Sequence, residues 1–133
     1  MRFMERYTDV TYALLRIIAG LMFATHGAQK VLGLFGGPKA AEPLMIVGGW
    51  IELIGGLLIA LGLFTAIAAF VCSGMMAVAY FMAHAPGGFW PVMNKGELAV
   101  LYCFAFLYMA SRGSGRYSID GLRSKAPAAR MRV

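Results

Sequence analysis

The sequence predicts an all-α integral membrane protein, a bundle of four transmembrane helices with the N and C termini both cytoplasmic. Three observations carry that prediction. Hydrophobic residues fill 60% of the 133 positions and charged ones only 14%, against roughly 45 to 50% apolar residues in a soluble domain, and the mean hydropathy is +0.71. Glycine, proline and charge cluster so as to leave four apolar stretches, each near the length of about 20 residues that a hydrocarbon core demands. Finally, the basic residues are concentrated at the two ends of the chain.

The first stretch, 11–35, follows the mixed-charge segment MRFMERYTD and stops at GGPKAAEP, 36–43, where Gly, Pro, Lys and Glu cannot continue a buried helix. It contains Arg16 and exceeds the apolar core of about 7 to 15 residues found in a signal peptide, so a retained helix is expected. No lipidation motif is evident. The second and third stretches, 44–64 and 66–85, meet at the uncharged LFTAI, 63–67, which predicts a very tight turn. The segment APGGFWPVMNKG, 85–96, separates them from the fourth stretch, 96–112. One membrane domain over 1–121 is expected, followed by a basic cytoplasmic tail, 122–133.

Four spans put both termini on one side. Arg2, Arg6, Arg112, Arg116, Arg123, Lys125, Arg130 and Arg132 lie in or beside the tails, with Arg16 near the same face, while Lys30, Lys39 and Lys95 lie opposite. The positive-inside rule makes the tails cytoplasmic. The net charge of +6 is then accounted for by anionic lipid headgroups; no nucleic-acid module is present, and no nucleic acid is expected as a partner.

Polar residues converge on one depth. At about 1.5 Å of rise per residue, His26 and Lys30 fall in the outer half of the first helix, and Glu52 lies roughly 12 Å below the outer start of the second. His84 ends the third helix on that side and Glu97 opens the fourth, with Trp50, Trp90 and Asn94 close in depth. Gly48, Glu52, Gly56 and Ala60 recur every four residues, and Arg16, Gly20, Phe23, Gly27 and Lys30 at four, three, four and three, so each set shares a face. Ionisable groups in a bilayer face the bundle interior and find partners. Glu52 is therefore expected to meet Lys30, His26 or Arg16, with Glu97 as a second acceptor. The polar cluster His26, Gln29, Lys30, Glu52 and Glu97 is the candidate cofactor-binding site, and no catalytic residue is assigned.

Blander readings stand beside these. A buried Glu with a Lys also serves as a staple that fixes helix register. His84 reads as an interfacial residue, Trp50, Trp90, Phe89 and Tyr80 as an aromatic belt, and the ten Met as gap-filling side chains. Cys72 and Cys103 are expected at depths differing by very roughly 10 Å, too far for the α-carbon separation of about 4.4 to 6.8 Å in a disulfide. There is no CxxC, two His and two separated Cys make a poor metal site, and nothing in the spacing of His26 and His84 argues for haem.

HGAQKVLGLFGG, GGWIELIGGLLIALGLFTAIAA, GELAVLYCFAFLYMA and GSGRYSIDG, in that order from about Leu15 to Gly121, resemble the successive signatures of the DoxX family. The resemblance implies a four-helix protein of the bacterial cytoplasmic membrane. It reaches His26, Gly27, Gln29, Lys30, Glu52, Gly55, Gly56, Glu97, Arg116 and Asp120 as shared pattern residues. The family's naming members resemble a subunit of a terminal quinol oxidase or a thiosulfate:quinone oxidoreductase, and others are linked to membrane assemblies that handle thiol and oxidative stress.

Residues and resemblance together suggest a small membrane subunit of, or accessory to, a quinone-linked oxidoreductase, itself a non-autonomous enzyme component. His26 and Lys30 would donate to the quinone carbonyls, Glu52 and Glu97 would relay protons, and electrons would come from partner subunits. Two alternatives use the same charges differently: an assembly protein in which they fix packing, or a small-solute or proton-coupled transporter, as a homo-oligomer. For transport, helix two offers only Thr65 inward of Glu52, and helix three only Cys72 and Ser73.

Overall fold

The computed structural model describes residues 2–130; Met1 and residues 131–133, which include Arg132 of the basic tail, lie outside the described residues. A short helix α1 (Arg2–Glu5) precedes α2 (Thr8–Leu32), α3 (Pro43–Leu61) and α4 (Thr65–Ala79). The α4 helix continues through a π turn (Tyr80–His84) and a 3₁₀ turn (Ala85–Gly87), and α5 (Pro91–Asn94), α6 (Glu97–Arg112) and α7 (Ile119–Arg130) follow. The chain is an all-α integral membrane protein: three helical runs, Thr8–Leu32, Pro43–Leu61 and Thr65–Gly87, are long and apolar enough to cross a bilayer. The fourth, α6, has 16 residues and reaches about 24 Å.

Local chemistry explains the boundaries. The α2 helix stops at Leu32, three residues short of its expected end, because Gly33 adopts the left-handed conformation at φ 68. Pro43 opens α3, where its missing N–H costs nothing. The expected tight turn is present: Gly62 at φ 70 closes α3, its N–H donating to the Ile59 carbonyl while Leu63 N–H reaches back to Leu58, and α4 begins at Thr65. The first part of the expected tail is helical, as α7.

The four long helices are neighbours in the order α2, α3, α4, α6. The α2–α3 seam is the tightest. A methyl group on Gly20 would lie 2.6 Å from the Gly56 carbonyl oxygen, one on Gly27 2.5 Å from that of Gly49, and one on Gly56 2.6 Å from the Ala24 nitrogen. Only glycine permits such an approach. Gly48 is not in this row; it is half-buried and faces Met75 on α4, while Gly49 takes its place against α2. Seven residues cover nearly two turns only when steps of three and four alternate, and a strict step of four drifts off the seam.

Between α4 and α6 the Ser73 hydroxyl donates to the Cys103 carbonyl over 2.7 Å. That contact corrects the expected depths of the cysteines: Cys103 is level with Ser73, and so nearly level with Cys72. The cause is the outer loop, which folds back. Asn94 donates to the Tyr80 hydroxyl over 3.0 Å, Tyr80 donates to the Phe89 carbonyl, and Gly96 packs on the Tyr80 ring, so α6 starts at the level of Tyr80 rather than beyond His84. Both thiols are free.

At the inner end the segment 113–121 laces the helices together. The buried Arg16 guanidinium donates to the carbonyls of Ser114 (2.9 Å) and Tyr117 (2.8 Å), and the Tyr12 hydroxyl to that of Gly113 (2.6 Å). The Asp120 carboxylate accepts from Phe64 N–H and the Ser114 hydroxyl, each at 2.7 Å.

Gly27→Ala is expected to lower the melting temperature of the detergent-solubilised protein, at a cost of about 1–3 kcal/mol typical of overpacking. Gly74→Ala, whose added methyl meets no heavy atom within 4 Å, is expected to leave it unchanged or slightly raised. Thermal unfolding of the two variants checks this; equal stability would contradict the backbone contact of α2 with α3.

Candidate functional site

The register of α2 against α3 places Lys30, in the last turn of α2, beside Glu52 on α3. The Lys30 Nζ and Glu52 Oε1 are 2.7 Å apart, with Glu52 3% exposed and Lys30 27%. The pair is made through one carboxylate oxygen only. Glu52 Oε2 is buried without a hydrogen-bond partner, and so is the hydroxyl of Tyr102 on α6.

Tyr102 borders a cleft of about 260 Å³ between α2, α4 and α6, whose other polar edges are His26, His84 and Lys95. The apolar walls include Phe23 and Met76. His84 Nδ1 lies 3.2 Å from the Asn94 carbonyl; a carbonyl only accepts, so the proton sits on Nδ1 and Nε2 remains for another partner. The His84 ring stacks on Tyr80 at a centroid distance of 6.3 Å. Lys95 is held in a left-handed conformation, φ 62, between α5 and α6.

Of the five residues expected in the polar cluster, Lys30 and Glu52 form the ion pair and His26 lines the adjoining cleft. Gln29 is elsewhere: its side chain fills the space over Gly37, under the loop that follows α2. Glu97 is exposed at the first turn of α6, where a carboxylate complements the helix dipole, and it does not line the cleft. Arg16 is committed to the inner lacing and is not a partner of Glu52. Sequence reasoning passed over Tyr102, which sits in an apolar span as any core aromatic would, and Lys95, which reads as a loop charge. His84, read as interfacial, proves to line the cleft. Among the described residues no three His, Cys, Asp or Glu side chains gather as a metal site would require. The arrangement offers hydrogen-bond donors on Lys95 and the two imidazoles, with Tyr102 in the wall of the cleft.

The DoxX family model matches residues 11–85, from α2 through α4. A Haemophilus influenzae protein of uncharacterised function is 42% identical over 128 residues, covering 90% of this chain and 96% of that one. The inner membrane protein YqjF of Escherichia coli is 29% identical over 130 residues, 92% of this chain and 98% of its own. An uncharacterised membrane protein of Mycobacterium tuberculosis is 28% identical over 134 residues, 86% and 82% of the two chains. These matches extend the likeness beyond α4 to nearly the full length. No solved structure matches the chain. The chain belongs to the DoxX family and is a multi-pass protein of the bacterial inner membrane.

Lys30→Met strands the Glu52 carboxylate and is expected to destabilise the protein by up to about 3 kcal/mol, the low end for a broken buried pair because the ammonium is 27% exposed. Lys30→Met with Glu52→Met is expected to recover most of that loss. A double-mutant cycle in thermal unfolding checks it, and strictly additive losses would show that the two side chains do not interact.

Proposed function

We propose that this protein is a small inner-membrane subunit of, or accessory to, a quinone-linked oxidoreductase, and that the cleft between α2, α4 and α6 receives the quinone head group. The observation that supports this reading most strongly is the coincidence of two buried, partnerless oxygens, Glu52 Oε2 and Tyr102 OH, with a cleft edged by His26, His84 and Lys95. A buried polar group left unsatisfied costs about 1–3 kcal/mol. Tyr102 forms part of the cleft wall, and a small shift of its ring would let the buried hydroxyl donate to a carbonyl acceptor in the cleft.

A bound quinone supplies an acceptor of two electrons and two protons. The protein's part is to hold and protonate it. Tyr102 and Lys95 donate hydrogen bonds that fix the head group, and the apolar walls at Phe23 and Met76 keep bulk water from it. Glu52 keeps one buried carboxylate oxygen without a partner, an atom that can hold a proton. The Nε2 of His84 is a second such atom. Electrons reach the head group from a partner oxidoreductase subunit.

The Lys30–Glu52 pair also supports the plainer reading of a packing staple, which needs no ligand. A transport pathway is less well supported: inward of the cleft, Ile59, Phe106 and Met109 are buried and fill the core.

Lipids extracted from protein purified from its native membrane in mild detergent, and identified by mass spectrometry, separate these readings. Wild type is expected to carry a quinone, and Tyr102→Phe to retain about tenfold less, the effect of one hydrogen bond worth near 1.4 kcal/mol. Glu52→Gln is expected to weaken retention as well. Wild type free of quinone, with Glu52→Gln merely less stable, would make the cluster a staple.

A further inference from the structure

The bundle is closed on three seams and open on the fourth. Whereas α2 meets α3 through glycine backbones, α2 and α6 are bridged by large rings: Phe23 lies 4.8 Å from Phe106 and 5.2 Å from Tyr102, centroid to centroid. Rings of this size hold the two helices apart, and on the lipid side of them a groove of about 420 Å³ remains, walled by Leu14, Ile18 and Met22 on α2 and by Leu98 and Leu101 on α6, with Ala105 beside them. Small side chains, Ala19 and Ala105, give it depth.

This groove adjoins the polar cleft: Leu98 and Tyr102 are wall residues of both. From Met22 to Leu14 it runs eight residues along α2, about 12 Å, away from His26, past the middle of the helix and down to the level of Tyr12 and Arg16 at the inner end. The polar end is therefore in the outer half of the bilayer and the apolar end reaches into the inner half. That is the orientation of an amphiphile with its head on the outer side and a chain long enough to pass the bilayer centre.

We infer that the α2–α6 groove takes the isoprenoid chain of the quinone whose head group occupies the cleft, so that the molecule enters sideways from the lipid and never crosses water. The inference rests on the quinone reading and adds where the tail lies. It makes chain-bearing quinones the substrate class: the groove contributes affinity only to a molecule that has a tail to put in it. The head group remains the business of Tyr102, His26, His84 and Lys95.

Native mass spectrometry in one detergent, with two probes at matched mole fraction in the micelle, tests this. One probe is a naphthoquinone head group without a chain, the other the same head group with an isoprenoid chain. Ala19→Phe and Ala105→Phe fill the groove from opposite walls, and Ile18→Ala and Leu101→Ala shorten its exposed rims without adding bulk, should either filling fail to fold. Wild type is expected to bind the chain-bearing probe at least tenfold more tightly, the fillings to reduce it to the level of the chainless probe, and the shortened rims to reduce it in part. Binding of the chainless probe is expected to be unchanged throughout. If both probes bind and no groove variant alters the chain-bearing one, the groove inference falls and the quinone reading stands. If neither probe binds wild type, the quinone reading falls and takes the groove with it. A phospholipid, or a second copy of the chain, released by the fillings in place of the quinone would overturn the assigned occupant.

Discussion

The contact of α2 with α3, backbone against backbone at Gly20, Gly27, Gly49 and Gly56, is the constraint from which the rest follows. Lipid supplies no hydrophobic force between helices, so association depends on close packing and on the few polar contacts that packing permits. The glycines also fix register. A slip of one helical turn, about 5.4 Å, would separate a Lys30–Glu52 pair now 2.7 Å long and leave a carboxylate buried without a cation. Sterics and electrostatics thus select the same alignment, and each excludes the alignments that the other would tolerate.

The opposite seam is built on the contrary rule. Phe23, Tyr102 and Phe106 interpose their rings between α2 and α6, which gives good packing at a large separation and cannot give closure. In water such a gap would be a defect. In a bilayer it is a lipid-accessible surface, and the depth at which it meets polar side chains decides what can use it. The folded-back loop 85–96 contributes here, because by starting α6 at the level of Tyr80 it brings Tyr102 and Lys95 to the height of His26.

Much of this was legible in the sequence. Four apolar stretches, a tight turn at 63–67 and a seam of small residues follow from hydropathy and from periods of three and four, and that Glu52 meets one of Lys30, His26 and Arg16 follows from the cost of charge in lipid; the choice of Lys30 needed the register of α2 against α3. What was not legible depends on tertiary geometry. The cysteine depths required knowing that residues 85–96 fold back. Gly48 differs from Gly49 by one position on a helix, a rotation of about 100°, which an idealised step of four does not resolve. Glu97 has the residue type and approximate depth of a site carboxylate, but its helix turns it outward, and Tyr102 gives no local sign of a hydroxyl without a partner. The polar chemistry of a small bundle is set by which face each helix presents, and that phase is settled by the neighbours.

The two ends of the bundle use their polar groups differently, and the difference bears on where function resides. At the inner end Tyr12, Arg16, Ser114, Ser118 and Asp120 bond to one another's loops across the segment 113–121, so their capacity is largely spent on holding the fold. Arg16 Nε and Thr65 Oγ1 are unpartnered there, yet both are shut in and neither borders the cleft. At the outer end Tyr102, whose buried hydroxyl is also unpartnered, forms part of the wall of a cleft. Spare hydrogen-bonding capacity costs stability wherever it is buried, but only where a molecule can reach it can binding repay that cost. By that criterion the outer cleft, edged by His26, His84 and Lys95, and not the richer network of the inner face, is where the proposed ligand would find partners.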